Sequence, residues 1–294
     1  MSALPETAGT IYDIGYRNYD GPRLGRRGAV TAIVAAGLRA VFGLGRSGRA
    51  KILPWGAIVL AVMPAVVAVA IRVLVGDLID LYSYENYLWS IGALLPIFVA
   101  SQAPELVVND MRHRVLPLYF SRPIGRVDYV VAKLAALTLA LLGLTLLPVL
   151  VLFTGRVLAA EDLLAALGDE IGALPGIVGS GTLHAVVLAG LGLAICSLAG
   201  RRAYAAGAVL AVFLIGGVIS GTFQAQAREL ESIAPFLNPL SILDGAREWL
   251  FGGTVAESPV SGADLPLAVY GAATALLLGL SVAILALRYR RVTT

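Results

Sequence analysis

Residues Glu105 to Lys133 read ELVVNDMRHRVLPLYFSRPIGRVDYVVAK, a polar interruption between two apolar runs each long enough to cross a bilayer. A membrane chain spends this many residues between two crossings when something docks there. Asn109 and Asp110 are good helix N-cap residues, and Met111, Val115, Leu118 and Tyr119 follow at roughly helical spacing beside Arg112, His113 and Arg114. The pattern predicts a short amphipathic surface helix, closed by Pro117 and Ser121-Arg122-Pro123. The alternative is a tight basic connector without a partner.

Outward from this stretch, composition sets the class. Of 294 residues, 58% are hydrophobic and 14% charged, with a mean hydropathy of +0.84. Soluble domains carry roughly 25% charged residues, so the expected fold is an all-α integral membrane protein. Six segments approach or exceed the roughly 17 to 25 apolar residues a spanning helix needs: Leu53 to Val75, Tyr87 to Ala103, Tyr129 to Phe153, Gly176 to Leu198, Tyr204 to Phe223 and Leu267 to Leu287. The second is the shortest.

With the N-terminus inside, 18 of the 22 basic residues fall on the inner side and 13 of the 19 acidic ones outside. The positive-inside rule favours that orientation, with both termini cytoplasmic. The basic pI of about 9.1 then reports topology and not nucleic-acid binding. Cys196 is the only cysteine, so no intrachain disulfide can form. Residues 1–28 form a polar cytoplasmic lead-in with no cleavable signal visible, which leaves the first span as its own targeting signal.

Residues 29–50 predict an interfacial elbow helix: Ile33, Val34, Leu38, Val41 and Phe42 share one face and Arg39 interrupts the other. The alternatives are a seventh span or a hydrophobic cytosolic helix. The spans occupy 51–288, followed by a short cytoplasmic tail, 289–294. Pro64 falls inside the first span, where it would bend the helix. Tyr84, Tyr87 and Trp89 suit an outer aromatic belt, and Leu163 to Leu174 a small surface helix. Gly217 and Gly221 in the fifth span make a small-residue face for a subunit contact. The outer segment 224–266 reads as paired short helices dipping into the membrane, because Phe236, Leu240, Leu243, Trp249 and Phe251 cluster between Pro235, Pro239 and Gly245.

Catalytic chemistry is missing from the pattern. His113 and His184 are the only histidines, and no His/Cys/carboxylate spacing fits a metal site. Gly43 to Arg49, GLGRSGR, has the glycine spacing of a phosphate-binding loop. Arg49, however, stands where lysine is required and Ala50 where Ser or Thr would bind magnesium. The six segments contain Arg72, Lys133 and His184 but no carboxylate, which weighs against ion coupling. Energy for transport would have to come from another chain.

The layout resembles the membrane subunit of an ABC transporter of the ABC-2 exporter type. The resemblance is sharpest in Glu105, Asp110, the apolar Leu116 to Phe120, Ser121-Arg122-Pro123-Ile124, Tyr129 and Lys133, which looks like that family's acidic residue, coupling helix and following run. Tyr16-Arg17-Asn18-Tyr19-Asp20-Gly21-Pro22-Arg23 is similar to the lead-in of permeases from high-GC Gram-positive bacteria. The glycine that often follows in the family is absent from Asp110-Met111-Arg112-His113-Arg114. The resemblance implies a permease in the bacterial plasma membrane, paired with a second copy and with two cytoplasmic ATPase subunits that bind ATP and magnesium, while this chain binds no cofactor. It also implies that Glu105, Asp110, Met111, Arg112, Arg114, Val115, Leu118, Tyr119 and Arg122 couple to the ATPase, and that Phe236 to Phe251 act as an extracellular gate. A membrane anchor or sensor that docks a partner without transport is the rival expectation.

Overall fold

The computed structural model describes residues 21, 25–76, 81–113, 115–121, 124–226, 232–252, 260 and 265–290. Most of the Tyr16–Arg23 lead-in, with Arg114, Arg122, Pro123 and most of the tail, lies outside the described residues. The described chain is all helix: α1 (Gly25–Val41), α2 (Gly48–Val75), α3 (Tyr84–Ser90), α4 (Leu94–Arg112), α5 (Leu116–Phe120), α6 (Arg126–Ala159), α7 (Leu163–Glu170), α8 (Leu174–Leu198), α9 (Arg202–Gln226), α10 (Pro239–Leu250) and α11 (Leu267–Arg290). Five of these, α2, α6, the α7–α8 run, α9 and α11, are long and apolar enough to cross a membrane. A sixth span results if α3 and α4, bent by 60°, are one crossing. The architecture is that of an α-helical membrane protein.

Leucine and alanine, the strongest apolar helix formers, dominate these runs, and a helix satisfies its own backbone where water is absent. In the most apolar window, 56% of α6 and 67% of the α7–α8 run are buried inside the chain, against 11% for α2 and 17% for α11. Thus α6 and α8 are the inner helices, and α2 and α11 expose apolar side chains outward. Close approach comes from small residues. A Cβ on Gly192 of α8 would lie 2.3 Å from Val99 of α4, and one on Gly181 would lie 2.3 Å from Leu146 of α6.

Three sequence expectations change. First, α4 continues through Arg112, so Asn109 and Asp110 sit in its last turns and cap nothing. The following helix, α5, has only five residues. The caps are elsewhere: Ser83 on α3, Asp162 on α7, and Asn238, whose Oδ1 accepts from the Leu240 amide, on α10. Second, because α4 is longer than its apolar core, Glu105 and Asp110, expected in a loop between spans, lie inside a long helix. Third, Tyr84 and Tyr87 are buried, leaving only Trp89 of the expected aromatic belt exposed.

Tyr87 has a specific task. Pro64 lacks an N–H and crowds the preceding turn of α2. The Tyr87 hydroxyl donates to the Ala61 carbonyl at 2.5 Å and accepts from the Ala65 amide at 3.1 Å. It thereby stands between the two partners of one i, i+4 bond, the kind of insertion that bends helices. The α3–α4 bend follows at Ile91–Ala93, where a Cβ on Gly92 would meet the Trp89 carbonyl oxygen at 2.9 Å. Tyr87→Phe keeps the ring and removes both hydrogen bonds, leaving the Ala61 carbonyl and the Ala65 amide to pair with each other in α2. It should cost about 1 kcal/mol, read as a lowered midpoint in thermal denaturation of the purified chain.

Candidate functional site

Two places concentrate polar side chains, at opposite ends of the bundle. At the end where α4 stops and α6 begins, Asp110 of α4 pairs with Lys133 of α6 at 2.7 Å, both largely buried. The Tyr129 hydroxyl donates to the same Asp110 Oδ2 at 2.7 Å. Around Tyr129, Tyr119 of α5 and Tyr289 of α11 each stand with ring centroids 5.4 Å away. The Lys133 ammonium lies 5.3 Å from the Tyr129 ring centroid and 6.0 Å from that of Tyr119, within range of cation–π attraction. One buried ion pair and three tyrosines therefore tie α4, α5, α6 and α11 together.

Glu105, about one and a half turns earlier on α4, performs a similar function toward other elements. Its carboxylate meets Arg46, in the turn between α1 and α2, at 3.2 Å and Arg202, the first residue of α9, at 2.5 Å. Asn109 donates to it at 2.8 Å. Arg26 of α1 makes a two-pronged contact with Asp128, 2.8 and 2.7 Å, and the Asp128 carboxylate also accepts from the Gly125 amide to cap α6. The paired forks match guanidinium to carboxylate geometry. Arg126 and Arg288 extend the same pattern through the Arg290 and Ser197 carbonyls.

The nine expected coupling residues thus divide by environment. Glu105 and Asp110 are structural ties, and Met111 and Tyr119 pack against the main core. Val115 is half-buried, and Arg112 is exposed. Leu118 is 70% exposed, a large apolar side chain on a five-residue helix. Arg114 and Arg122 lie outside the described residues. Met111, Val115, Leu118 and Tyr119 do not form one outward face, because α4 and α5 are separate helices and their registers do not continue. Val115, Leu118 and Tyr119 instead line a groove against Ala29, Ile33 and Ala36 of α1.

At the opposite end, a 3-10 turn (Ala234–Leu237) and α10 lie against α8, α9 and α11. Gly216 of α9 permits this: a Cβ there would fall 2.5 Å from the Leu237 carbonyl oxygen. Gly245 lets α10 approach the Tyr270 ring, where a Cβ would come within 2.4 Å. The five expected gate residues are dispersed. Phe236 stacks on Tyr270 at 5.2 Å, Leu243 is fully buried, Trp249 is exposed and lies near Gly271, and Phe251 packs on Gly176 of α8. Leu240 lines a cavity, as do Gly217 and Gly221, whose missing side chains leave open room.

The buried face of α10 is polar, which the reading of its aromatic residues missed. Ser241, Asp244, Arg247 and Glu248 are all buried, with Arg247 at 0% exposure. The signal was present: positions 241, 244 and 248 recur at helical spacing. Asp244 Oδ1 lies 3.2 Å from Arg247 Nη1, and none of the Arg247 guanidinium nitrogens has a hydrogen-bond partner among the described residues.

No family profile matches this chain, and no curated protein matches it either.

Proposed function

We propose that this chain is the transmembrane permease subunit of an ATP-binding cassette exporter of the ABC-2 type, working as a pair with two separate cytoplasmic ATPase subunits. One observation carries the reading: a short helix, α5, presents Leu118 outward, Arg112 is exposed at the end of α4, and α5 is fixed to three long helices, α4, α6 and α11, around Tyr119, Tyr129, Asp110 and Lys133. A protruding apolar side chain on a stiff mount suits a mechanical input. A force applied at Leu118 reaches α4, α6 and α11 without first bending a loop. The sequence resemblance from Glu105 to Lys133 supports the same reading.

In this account the α5 end faces the cytoplasm, as the positive-inside distribution of arginines requires. Closure of the ATPase pair pushes α5, and the tied helices tilt together between two arrangements. The far segment, from the 3-10 turn through α10, then opens or shuts the other side. The face of α9 bearing Gly217 and Gly221 borders a cavity within the chain, and the second copy would meet α9 at that cavity's open side.

Leu118→Asp combined with Arg112→Glu should abolish co-purification with an ATPase co-expressed from a neighbouring reading frame that carries a GxxxxGK[ST] motif. Both residues are exposed, so the helical content and melting of the chain should not change. Retained co-purification would remove α5 as the docking element.

Asp110→Asn should act differently. It leaves the Lys133 ammonium buried without its carboxylate, a loss of about 3–5 kcal/mol. The variant should melt earlier, still bind the ATPase, and fail to raise its hydrolysis rate in vesicles. If the wild-type chain binds the ATPase and likewise leaves hydrolysis unchanged, the anchor or sensor reading replaces this one.

A further inference from the structure

A cavity of about 800 Å³ lies between the α3–α4 bend, α8, α9 and α10. Its walls are mostly apolar, with Trp89, Pro96, Phe213 and Leu240 among them. Six polar side chains line it: His184 of α8, Ser220 and Gln224 of α9, the α10 cap Asn238, and Ser241 and Asp244 of α10. Ligand sites for small molecules have this composition, an apolar chamber with a few placed polar groups. His184 is the eleventh residue of α8, which sets this polar corner about 15 Å along that helix.

The charge at that corner is uneven. Asp244 is the only Asp, Glu, Lys or Arg among the described residues lining the cavity. Behind it Arg247 is completely buried and touches Asp244 at 3.2 Å, and Glu248 is buried on the same helix. Asp244, Arg247 and Glu248 thus set two acids against one guanidinium within about one turn of α10. The other polar side chains at the cavity are engaged with the chain itself. His184 Nδ1 faces the Ser180 carbonyl at 2.8 Å, so it must donate there. Asn238 spends its amide on Ser241 and its carbonyl on the Leu240 amide, and Gln224 donates to Ser220. A buried negative charge in apolar surroundings is costly until a cation joins it. Arg247 already engages Oδ1, and Oδ2 of Asp244 is the remaining acceptor.

We propose that this cavity binds an organic monocation with an apolar body, selected by the Asp244 carboxylate. Trp89 and Phe213 line the same chamber, and aromatic rings attract a delocalised positive charge. An anion is disfavoured, because Arg247 has no exposed surface and lies behind the carboxylate. As a class of cargo this rests on the export reading; as a binding site it does not.

The test uses the full chain in lipid nanodiscs, without any ATPase, and reads fluorescence anisotropy after subtraction of empty discs. The cationic dye rhodamine 6G should bind saturably, and the anionic dye fluorescein should not. Asp244→Asn should weaken rhodamine 6G about ten-fold or more, the loss of one charge-assisted contact, while binding of neutral Nile red stays within about two-fold. Gly221→Phe provides a second arm, since a Cβ there meets nothing within 4 Å and the ring would occupy the chamber without disturbing the charges. It should weaken both rhodamine 6G and Nile red. Rhodamine 6G binding that survives either substitution in a folded chain, or fluorescein binding as tightly as rhodamine 6G, overturns the proposal. No ATPase enters the measurement, so its outcome is separate from the fate of the export reading.

Discussion

An ammonium kept from water must have a carboxylate within reach, and in this chain that demand fixes one whole end of the bundle. Lys133 is buried on the inner helix α6, and Asp110 at the end of α4 is its partner at 2.7 Å. Because α4 must carry Asp110 to that point, it runs beyond its apolar core and delivers Glu105 to Arg46 and Arg202 on the way. Tyr129 then needs an acceptor for its hydroxyl and uses the same carboxylate. Each contact restricts the next, and the cumulative effect is a rigid base under α5. Buried ion pairs often add little net stability over apolar packing. Here the pair sets the register of four helices against one another.

The charges on α10 obey the same physics with the opposite result. At the α5 end the buried acids Glu105 and Asp110 each find basic partners, and the tie is complete. On α10, Asp244 meets Arg247, and Glu248 is buried one turn on, beside a chamber large enough for a guest. One network ties helices to one another and holds shape. The other lies within a single helix and borders open space.

Much of the fold was legible in the sequence because long apolar runs leave a backbone few options in lipid. The helical segments α2, α6, α8, α9 and α11 fall where hydropathy puts them, extended at their ends by Arg126, Arg202 and other residues that hydropathy excludes. The second segment was the difficult one. Its apolar core is short because a 60° bend divides it and a polar helical extension follows it. Cap chemistry misled at Asn109, since an Asn side chain serves equally as a cap and as a donor to a carboxylate one turn back, and only tertiary context decides. The polar face of α10 was readable from Ser241, Asp244 and Glu248 but was obscured by the aromatic residues around it. The separation of Leu118 from Met111 was not readable, because it depends on a break at His113–Val115 that carries no glycine and has its proline only at position 117.

The Tyr87 hydroxyl inserted beside Pro64 has a mechanical meaning. A continuous helix transmits torque along its axis, whereas a helix with one rung carried by a neighbour's side chain is compliant there. The outer third of α2, past Ala65, is thereby hitched to α3, and α3 sits on the far side of the bend from α4. Flexing at Ile91–Ala93 therefore drags the tip of α2 along, while its basal half stays with the helices around Glu105. The tyrosine is a pin shared by two helices, and it passes movement at the α3–α4 bend on to α2.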